Sequence, residues 1–209
     1  EHYHDKIGNA PTEHQGDGIA SAHDVIRFKH PVAPEDIVPD ALPRALCLDE
    51  LDGRSIDDYL PAAGSTLKFT RPGISKTWTL KGSTATIAWQ LKGFAGRRLT
   101  TRLNLAMPSC DGFLGRYLLA DGNIPGGFGD ALDLAAAKSL TLVDGVLGGS
   151  IRVDSPIPAE IHGRPQQTVS QSEAGFEKIM QAVELSVNWV IPDDACTLQL
   201  KLIVESTPP

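Results

Sequence analysis

Two carboxylates four positions apart, Glu173 and Glu177, are of a type and spacing suited to acid–base chemistry. Paired carboxylates are the catalytic groups of most glycosidases. One of the pair must then lie in an apolar pocket that raises its pKa, but the surrounding stretch QQTVSQSEAGFEKIMQ, Gln166 to Gln181, offers serine, glutamine and lysine. This environment argues against catalysis. Two interpretations of the polar stretch remain, a sugar-binding edge and a polar seam against another domain.

His162 is the histidine best suited to act as a fixed acid or base, because it follows the strand-like segment PAEIHG. The other five histidines fall within the first thirty residues, where no helical or strand period is sustained. A metal site needs ligands that converge from ordered backbone, so we expect neither a metal nor a cofactor. Residues 1–30 are predicted to form an arm or linker.

The glycine-rich segment DGNIPGGFGD, Asp121 to Asp130, has some ingredients of a calcium loop. Its spacing departs from the usual twelve-residue loop, which ends on a carboxylate, and no phosphate-binding GK[ST] follows it. Glycine, asparagine and aspartate form turns without any ion. The segment therefore predicts a flexible connection.

Aromatic side chains that could stack on sugars are scarce. Trp78, Trp89 and Trp189 are in phase with aliphatic positions and are predicted to lie in the core. Phe113, Tyr117 and Phe128 lie in loop-like sequence, and they are the better candidates for an exposed sugar platform.

Composition limits the class of protein. The 209 residues are 41% hydrophobic and 22% charged, enough for one domain with a substantial core. A net charge of -7 offers no positive field for nucleic acid or an anionic membrane. Three scattered cysteines, Cys47, Cys110 and Cys196, predict buried free thiols in a reducing compartment, so we expect a soluble cytoplasmic protein.

Strands dominate the rest of the sequence. TATIAWQLK, LTTRLNLAM, LSVNWVI and CTLQLKLIV alternate apolar and polar residues, as half-buried strands do. The last two are predicted to form a hairpin through PDDA, and Asp144-Gly145 is predicted to turn another hairpin. Only ALDLAAAKSL, Ala131 to Leu140, favours a short loop helix. The pattern predicts an all-β fold for residues 31–209, a single domain of two packed antiparallel sheets.

A family resemblance rests on three of these stretches. TVSQSEAGFEKIMQ, with SLTLVDGVLGGSIRV before it and LSVNWVIPDDACTLQLKLIV after it, resembles the C-terminal β-sandwich of family 57 glycoside hydrolases. These are the α-amylase and 4-α-glucanotransferase group. The earlier SAHDVIRFKHP and DELDGRSIDDYL resemble the family's entry into that domain, so the likeness runs from about Ser21 to Val204.

The resemblance implies a galactose mutarotase-like supersandwich and catalytic carboxylates on a separate N-terminal barrel. This chain lacks the alternation of strands and long amphipathic helices that a barrel needs. We therefore expect a non-catalytic accessory domain that packs against a catalytic barrel and contacts α-glucan. The alternatives are a mutarotase-type epimerase that uses His162 with Glu173 or Glu177, and an interaction domain without sugar affinity. The candidate seam or sugar-contact residues are Ser170, Gln171, Ser172, Glu173 and Glu177.

Overall fold

The computed structural model describes residues 31–40, 44–64, 67–107, 109, 114–172 and 175–206. The predicted arm, residues 1–30, lies outside this part. Within these residues, a short 3-10 helix, Pro34–Ile37, precedes twelve strands. The strands are β1 Leu46–Leu51, β2 Arg54–Ser55, β3 Leu60–Pro61, β4 Lys68–Arg71, β5 Ile74–Lys81, β6 Thr84–Lys92, β7 Arg98–Leu105, β8 Gly115–Leu119, β9 Leu132–Asp144, β10 Gly149–Ser172, β11 Gly175–Val190 and β12 Ala195–Ser206. The predicted all-β fold is confirmed.

The strands form one continuous antiparallel sheet in the order β2-β1-β7-β11-β10-β12-β6-β5-β4-β3, and β9 pairs with both β10 and β8. The first six residues of β10, Gly149 to Asp154, have β12 on one edge and β9 on the other. A strand has only two edges, so β11 must pair with a later part of β10. The 24-residue β10 therefore links two groups of strands, β11-β7-β1 and β12-β6-β5.

The core lies between these two groups of strands. Trp89 of β6 and Trp189 of β11 are both buried, and their ring centroids are 5.7 Å apart. The alternating apolar positions predicted from the sequence are buried on β6, β7, β11 and β12: Ile87, Leu91, Leu99, Leu103, Leu105, Leu185, Val187, Leu198, Leu200 and Leu202. Two apolar faces of curled antiparallel strands thus pack together, as in a sandwich.

Two local predictions were wrong. The described residues contain no α-helix, and ALDLAAAKSL lies largely in β9. Pairing with both β8 and β10, together with burial of Leu140 and Leu142, outweighs the helix propensity of its alanines. β11 and β12 also do not form a hairpin, because β10 lies between them in the sheet. The hairpin at Asp144 is confirmed by the pairing of Asp144 with Gly149.

The chain divides into two compact units. Ala45–Pro165 and Ala182–Pro209 form the larger one, called here the sandwich unit. The segment Gln166–Gln181 and the described residues up to Arg44 form the smaller one, called here the ribbon unit. The 3-10 helix lies in the ribbon unit, where Asp36 Oδ2 is 2.5 Å from Lys178 Nζ. The hydrogen bond from Lys178 lowers the pKa of Asp36.

Candidate functional site

The residues predicted for the seam lie in the ribbon unit. Ser170 is half-buried on β10, and Glu177 is half-buried on β11. Gln171 and Ser172 end β10, and Glu173 lies outside the described residues. The polar stretch is thus built mainly from two strands, and its role as a seam or sugar contact stays a prediction.

A second polar surface lies in the sandwich unit, on the side of β7 opposite its buried leucines. Arg98, Thr100 and Arg102 alternate there with Leu99, Thr101 and Leu103, which point into the core. Neighbouring strands add side chains that bond to these three or to one another. We call this set the polar face; its members are Glu50, Arg98, Thr100, Arg102, Asp133, Glu160, His162, Arg164, Glu184 and Asn188.

The centre of the polar face is a chain of ion pairs across strands. Arg102 bridges two carboxylates, with Nε 2.7 Å from Glu50 Oε1 and one terminal nitrogen 3.0 Å from Glu184 Oε1. Arg98 pairs with Glu160 through both terminal nitrogens. The two partners of Arg102 lie diagonal to it on the adjacent strands β1 and β11, whereas Arg98 reaches across β11 to Glu160 on β10. Each guanidinium is therefore held in one orientation.

Between the two arginines lies a neutral hydrogen bond. Thr100 Oγ1 donates to Asn188 Oδ1 at 2.6 Å, and these two residues are direct partners in the β7–β11 ladder. Both are buried although they lie on the outer side of the sheet. The flanking ion pairs shield this bond from water, which makes the surface rigid at its centre.

His162 lies on the β9 side of the polar face, opposite Asp133 in the β9–β10 ladder. Its Nδ1 is 2.6 Å from Asp133 Oδ1, and Arg164 donates to the same oxygen at 2.7 Å. A carboxylate acceptor at Nδ1 assigns the proton to that nitrogen and leaves Nε2 free of the Asp133 bond. The predicted acid–base residue is thus ordered, with its side chain 38% exposed.

Two carboxyl groups of the polar face, those of Glu160 and Asp133, have pKa values below their ordinary values. The hydrogen bond from Arg98 lowers the pKa of Glu160. The hydrogen bonds from His162 and then Arg164 lower the pKa of Asp133. The bond to Glu50 raises the pKa of Arg102. Most charges on the surface are therefore paired, which suits a neutral, hydroxyl-rich ligand or a polar protein surface better than an ion.

The interior of the sandwich unit contains a buried ionic network that was not predicted from the sequence. Asp49 of β1 accepts hydrogen bonds from Lys76 Nζ, Tyr59 Oη and Trp89 Nε1 on one oxygen and from Thr101 on the other, at 2.8 to 2.9 Å. The Lys76 ammonium also donates to the Cys47 carbonyl at 2.6 Å. In the strand ISKTWTL, Lys76 falls on the same side as the apolar residues Ile74 and Trp78. A lysine at such a position is the sequence feature that could have predicted a buried charge with a partner.

The same network explains the backbone at Cys47. This residue has a φ of 60°, in the left-handed region, where the pairing of β1 with β7 shifts register. The bulge directs the Cys47 carbonyl to Lys76, and burial raises the pKa of the Cys47 thiol to about 12. Cys47 and Cys196 are free thiols, whereas Cys110 lies outside the described residues.

The predicted sugar platforms are not supported. Tyr117 and Phe128 are fully buried and pack edge to face with centroids 5.5 Å apart. Tyr117 lies on β8 rather than in a loop, because β8 pairs with β9. Phe113 lies outside the described residues. Trp89 and Trp189 are in the core as predicted, and Trp78 is half-buried.

The glycine-rich loop behaves as a set of turns. Asp121 accepts a hydrogen bond from the backbone of Asn123, and Asp130 accepts one from Gly127. Across the described residues, no group of three or more His, Cys, Asp or Glu side chains could hold a metal ion. In the same part of the chain, no helix is long and apolar enough to cross a membrane.

Solved structures resemble this fold. A 4-alpha-glucanotransferase from Thermococcus litoralis aligns with 90% of this chain at 16% identity and a TM-score of 0.58, and the chain spans 32% of that protein. A putative mutarotase from Salmonella typhimurium aligns with 64% of this chain and over 53% of its own length, at 13% identity and a TM-score of 0.40. At such identities the first similarity shows the fold alone, and the second is too weak to support an argument.

The match at family level is more specific. A search of curated proteins gave no match. The family model described as "Alpha-amylase/4-alpha-glucanotransferase, C-terminal" matches residues 60–202, which include β3 to β11 and most of β12. That range covers more than half of the chain and contains most of the polar face. This chain therefore belongs to the family of α-amylase/4-α-glucanotransferase C-terminal domains.

Proposed function

We propose that this chain is a non-catalytic accessory β-sandwich domain of an α-glucan-processing glycoside hydrolase or 4-α-glucanotransferase, and that its polar face contacts glucan. Family membership supports the accessory role. The observation that carries the glucan contact is the array of fixed and partly exposed donors and acceptors formed by Arg98, Arg102, Glu160 and His162. The free thiols Cys47 and Cys196 suit a cytoplasmic location.

The polar face fits sugar hydroxyls for two reasons. Guanidinium, carboxylate and imidazole groups lie side by side on the partly exposed Arg98, Glu160 and His162, so neighbouring hydroxyls find both donors and acceptors. The ion pairs already fix most of these side chains, so little conformational entropy is lost when a ligand binds.

The ribbon unit is proposed to contact the catalytic barrel of the same enzyme. The predicted seam residues Ser170, Gln171, Ser172, Glu173 and Glu177 would there satisfy polar groups of the barrel surface. What supports this assignment is the resemblance of their segment to the family and the concentration of uncharged polar side chains in it. A segment rich in hydrogen-bonding side chains suits a docking edge.

Calorimetric titration of the whole chain with maltoheptaose tests the glucan contact. We expect saturable binding, and we expect Arg98→Gln and Glu160→Gln each to weaken it roughly tenfold, the effect of losing one hydrogen bond to a fixed group. The control is Arg152→Gln, because Arg152 pairs with Asp154 and makes no bond to the polar face. Absence of binding would contradict the glucan contact and favour an interaction domain without sugar affinity. An equal loss in the control would contradict the assignment to the polar face.

A mutarotase-type activity is the second candidate, and the Asp133–His162 hydrogen bond favours it. It would need Glu173 or Glu177 to act with His162 on one sugar ring. Polarimetry of freshly dissolved glucose and galactose separates the candidates. Our proposal predicts the uncatalysed rate of anomer interconversion. An acceleration that disappears in His162→Gln would overturn it in favour of the enzyme.

A further inference from the structure

The partly exposed groups of the polar face lie in two clusters along β7. Arg98 and Arg102 are on the same side of this strand, and their side chains are 44% and 38% exposed. An antiparallel strand rises about 3.4 Å per residue, so the α-carbons of these arginines are about 14 Å apart. Thr100 and its ladder partner Asn188 lie between them and are buried. The groups that a ligand can reach are therefore separated along the strand.

The first cluster forms around Arg98. Its guanidinium bonds to Glu160 through both terminal nitrogens, and each of these nitrogens carries a second N–H group. Val190 is the direct ladder partner of Arg98 and is 59% exposed. A sugar ring has hydroxyls at its edge and apolar C–H faces, so an ion pair beside an exposed aliphatic side chain can contact both. We call Arg98, Glu160, His162 and Val190 the Arg98 cluster.

The second cluster forms around Arg102. Glu50 and Glu184 hold its guanidinium from the two neighbouring strands, through Nε and both terminal nitrogens. Ser186 is the direct ladder partner of Arg102 and is half-buried on the same side of the sheet. The serine hydroxyl and the second N–H groups of the guanidinium can bond to neighbouring oxygens of one sugar. We call Arg102, Glu50, Glu184 and Ser186 the Arg102 cluster.

We propose that the two clusters are separate subsites for one linear α-glucan chain, which runs along β7 and contacts each cluster with a different sugar unit. The inference rests on the proposed glucan contact and specifies its ligand, a chain of several sugars rather than a single sugar or a disaccharide.

The separation of the clusters explains this preference for a chain. A disaccharide is shorter than the distance of about 14 Å between the two arginine α-carbons, so it occupies one cluster at a time. A longer chain bound at one cluster meets the other at a high effective concentration. The overall affinity then rises without any new kind of contact.

Calorimetric titration of the whole chain with glucose, maltose, maltotriose, maltopentaose and maltoheptaose tests the two subsites. We expect the affinity to rise about a hundredfold from maltose to maltoheptaose, as for two linked binding events. A single subsite would gain only in proportion to the number of sugar units in the chain. A gain of that size or smaller would overturn the inference and leave the proposed glucan contact in place. Absence of binding throughout the series would overturn both.

A substitution in the Arg102 cluster tests whether it is a distinct subsite. Arg102→Gln should weaken maltoheptaose binding about tenfold but change maltose binding by less than about twofold, because the Arg98 cluster still holds a disaccharide. The control Arg152→Gln should change neither, because Arg152 lies on another part of β10, where it pairs with Asp154.

A second variant covers the loss of the ion pairs in Arg102→Gln. Ser186→Ala removes only a half-buried hydroxyl, and it should weaken maltoheptaose binding in the same direction by a smaller factor. Circular dichroism checks that both variants are folded. If the folded variants bind maltose and maltoheptaose with equal losses, or with no loss, the Arg102 cluster is not a separate subsite and the inference is wrong.

Discussion

Lys76 is the residue whose environment most limits substitution. Its ammonium is buried next to Asp49, donates to the Cys47 carbonyl, and lies within 6.0 Å of the ring centroids of Tyr59, Trp78 and Trp89. A buried charge without partners costs several kcal/mol, so each group in this network depends on the others. The network joins β1 to β5 and β6 through side chains, whereas the backbone of β1 pairs with β2 and β7.

Replacing Lys76 by methionine keeps the length of the side chain and removes the charge. We expect Lys76→Met to lower the free energy of unfolding by about 3 kcal/mol, because the buried Asp49 side chain would lose its ion-pair partner and keep only neutral hydrogen-bond donors. Urea unfolding followed by tryptophan fluorescence measures the change. Lys92→Met, at an exposed position, should stay within about 0.5 kcal/mol of wild type. A loss below about 1 kcal/mol for Lys76→Met would show that the ion pair contributes little.

The polar face shows how far single residues can be predicted. His162 was singled out from the sequence because a strand precedes it, and the structure places it in an ordered hydrogen bond. Its partner Asp133 was missed, because it lies in the segment whose alanines favoured a helix. Cross-strand partners such as Arg102 and Glu184 depend on which strands are neighbours, and residue types alone do not determine that.

Strand alternation was the most reliable signal at the level of elements. In β11, Trp189 is buried and Val190 beside it is 59% exposed, as the two-residue period predicts. The order of the strands in the sheet was harder to predict from the sequence. The sequence pattern of β11 and β12 is the same for a hairpin and for two strands separated by β10, and only long-range pairing distinguishes them.

Adjacent substitutions in β11 test this alternation. Trp189→Ala removes a ring packed against Trp89 and a hydrogen bond from Nε1 to Ser155 at 3.0 Å. We expect a loss of about 3 to 5 kcal/mol, as for other buried aromatic truncations. Val190→Ala, one residue further on the opposite side, should cost less than about 1 kcal/mol. Chemical denaturation compares the two, and similar costs would contradict the register of β11.

At the scale of the whole molecule, lowered carboxyl pKa values occur in both units. Asp36 in the ribbon unit and Asp133 and Glu160 in the sandwich unit all have folded-state values below their ordinary values of 3.8 and 4.5. A carboxyl with a depressed pKa stabilises the fold above its unfolded-state pKa. That contribution disappears as the pH falls through the folded-state value. Stability should therefore decrease on acidification below about pH 4.5.

Thermal unfolding as a function of pH checks this expectation. The midpoint temperature of unfolding should change little near neutral pH, and it should fall steadily as these carboxylates are protonated at lower pH. The ion pairs are largely exposed, so added salt should reduce the slope. Asp133→Asn should also reduce it, because one titrating group is lost. A midpoint that rises on acidification would mean that repulsion among the acidic side chains outweighs their ion pairs.

The long strand β10 makes one part of the chain sensitive to insertions and deletions. Gly149 to Asp154 pairs on both edges, and Val153 within it is buried. Deleting one residue here would shift the pairing with β9 and β12 together and turn Val153 away from the core. Natural relatives should therefore have no insertions or deletions in this segment, even where its side chains differ. Insertions and deletions should instead occur in connections such as residues 120–131.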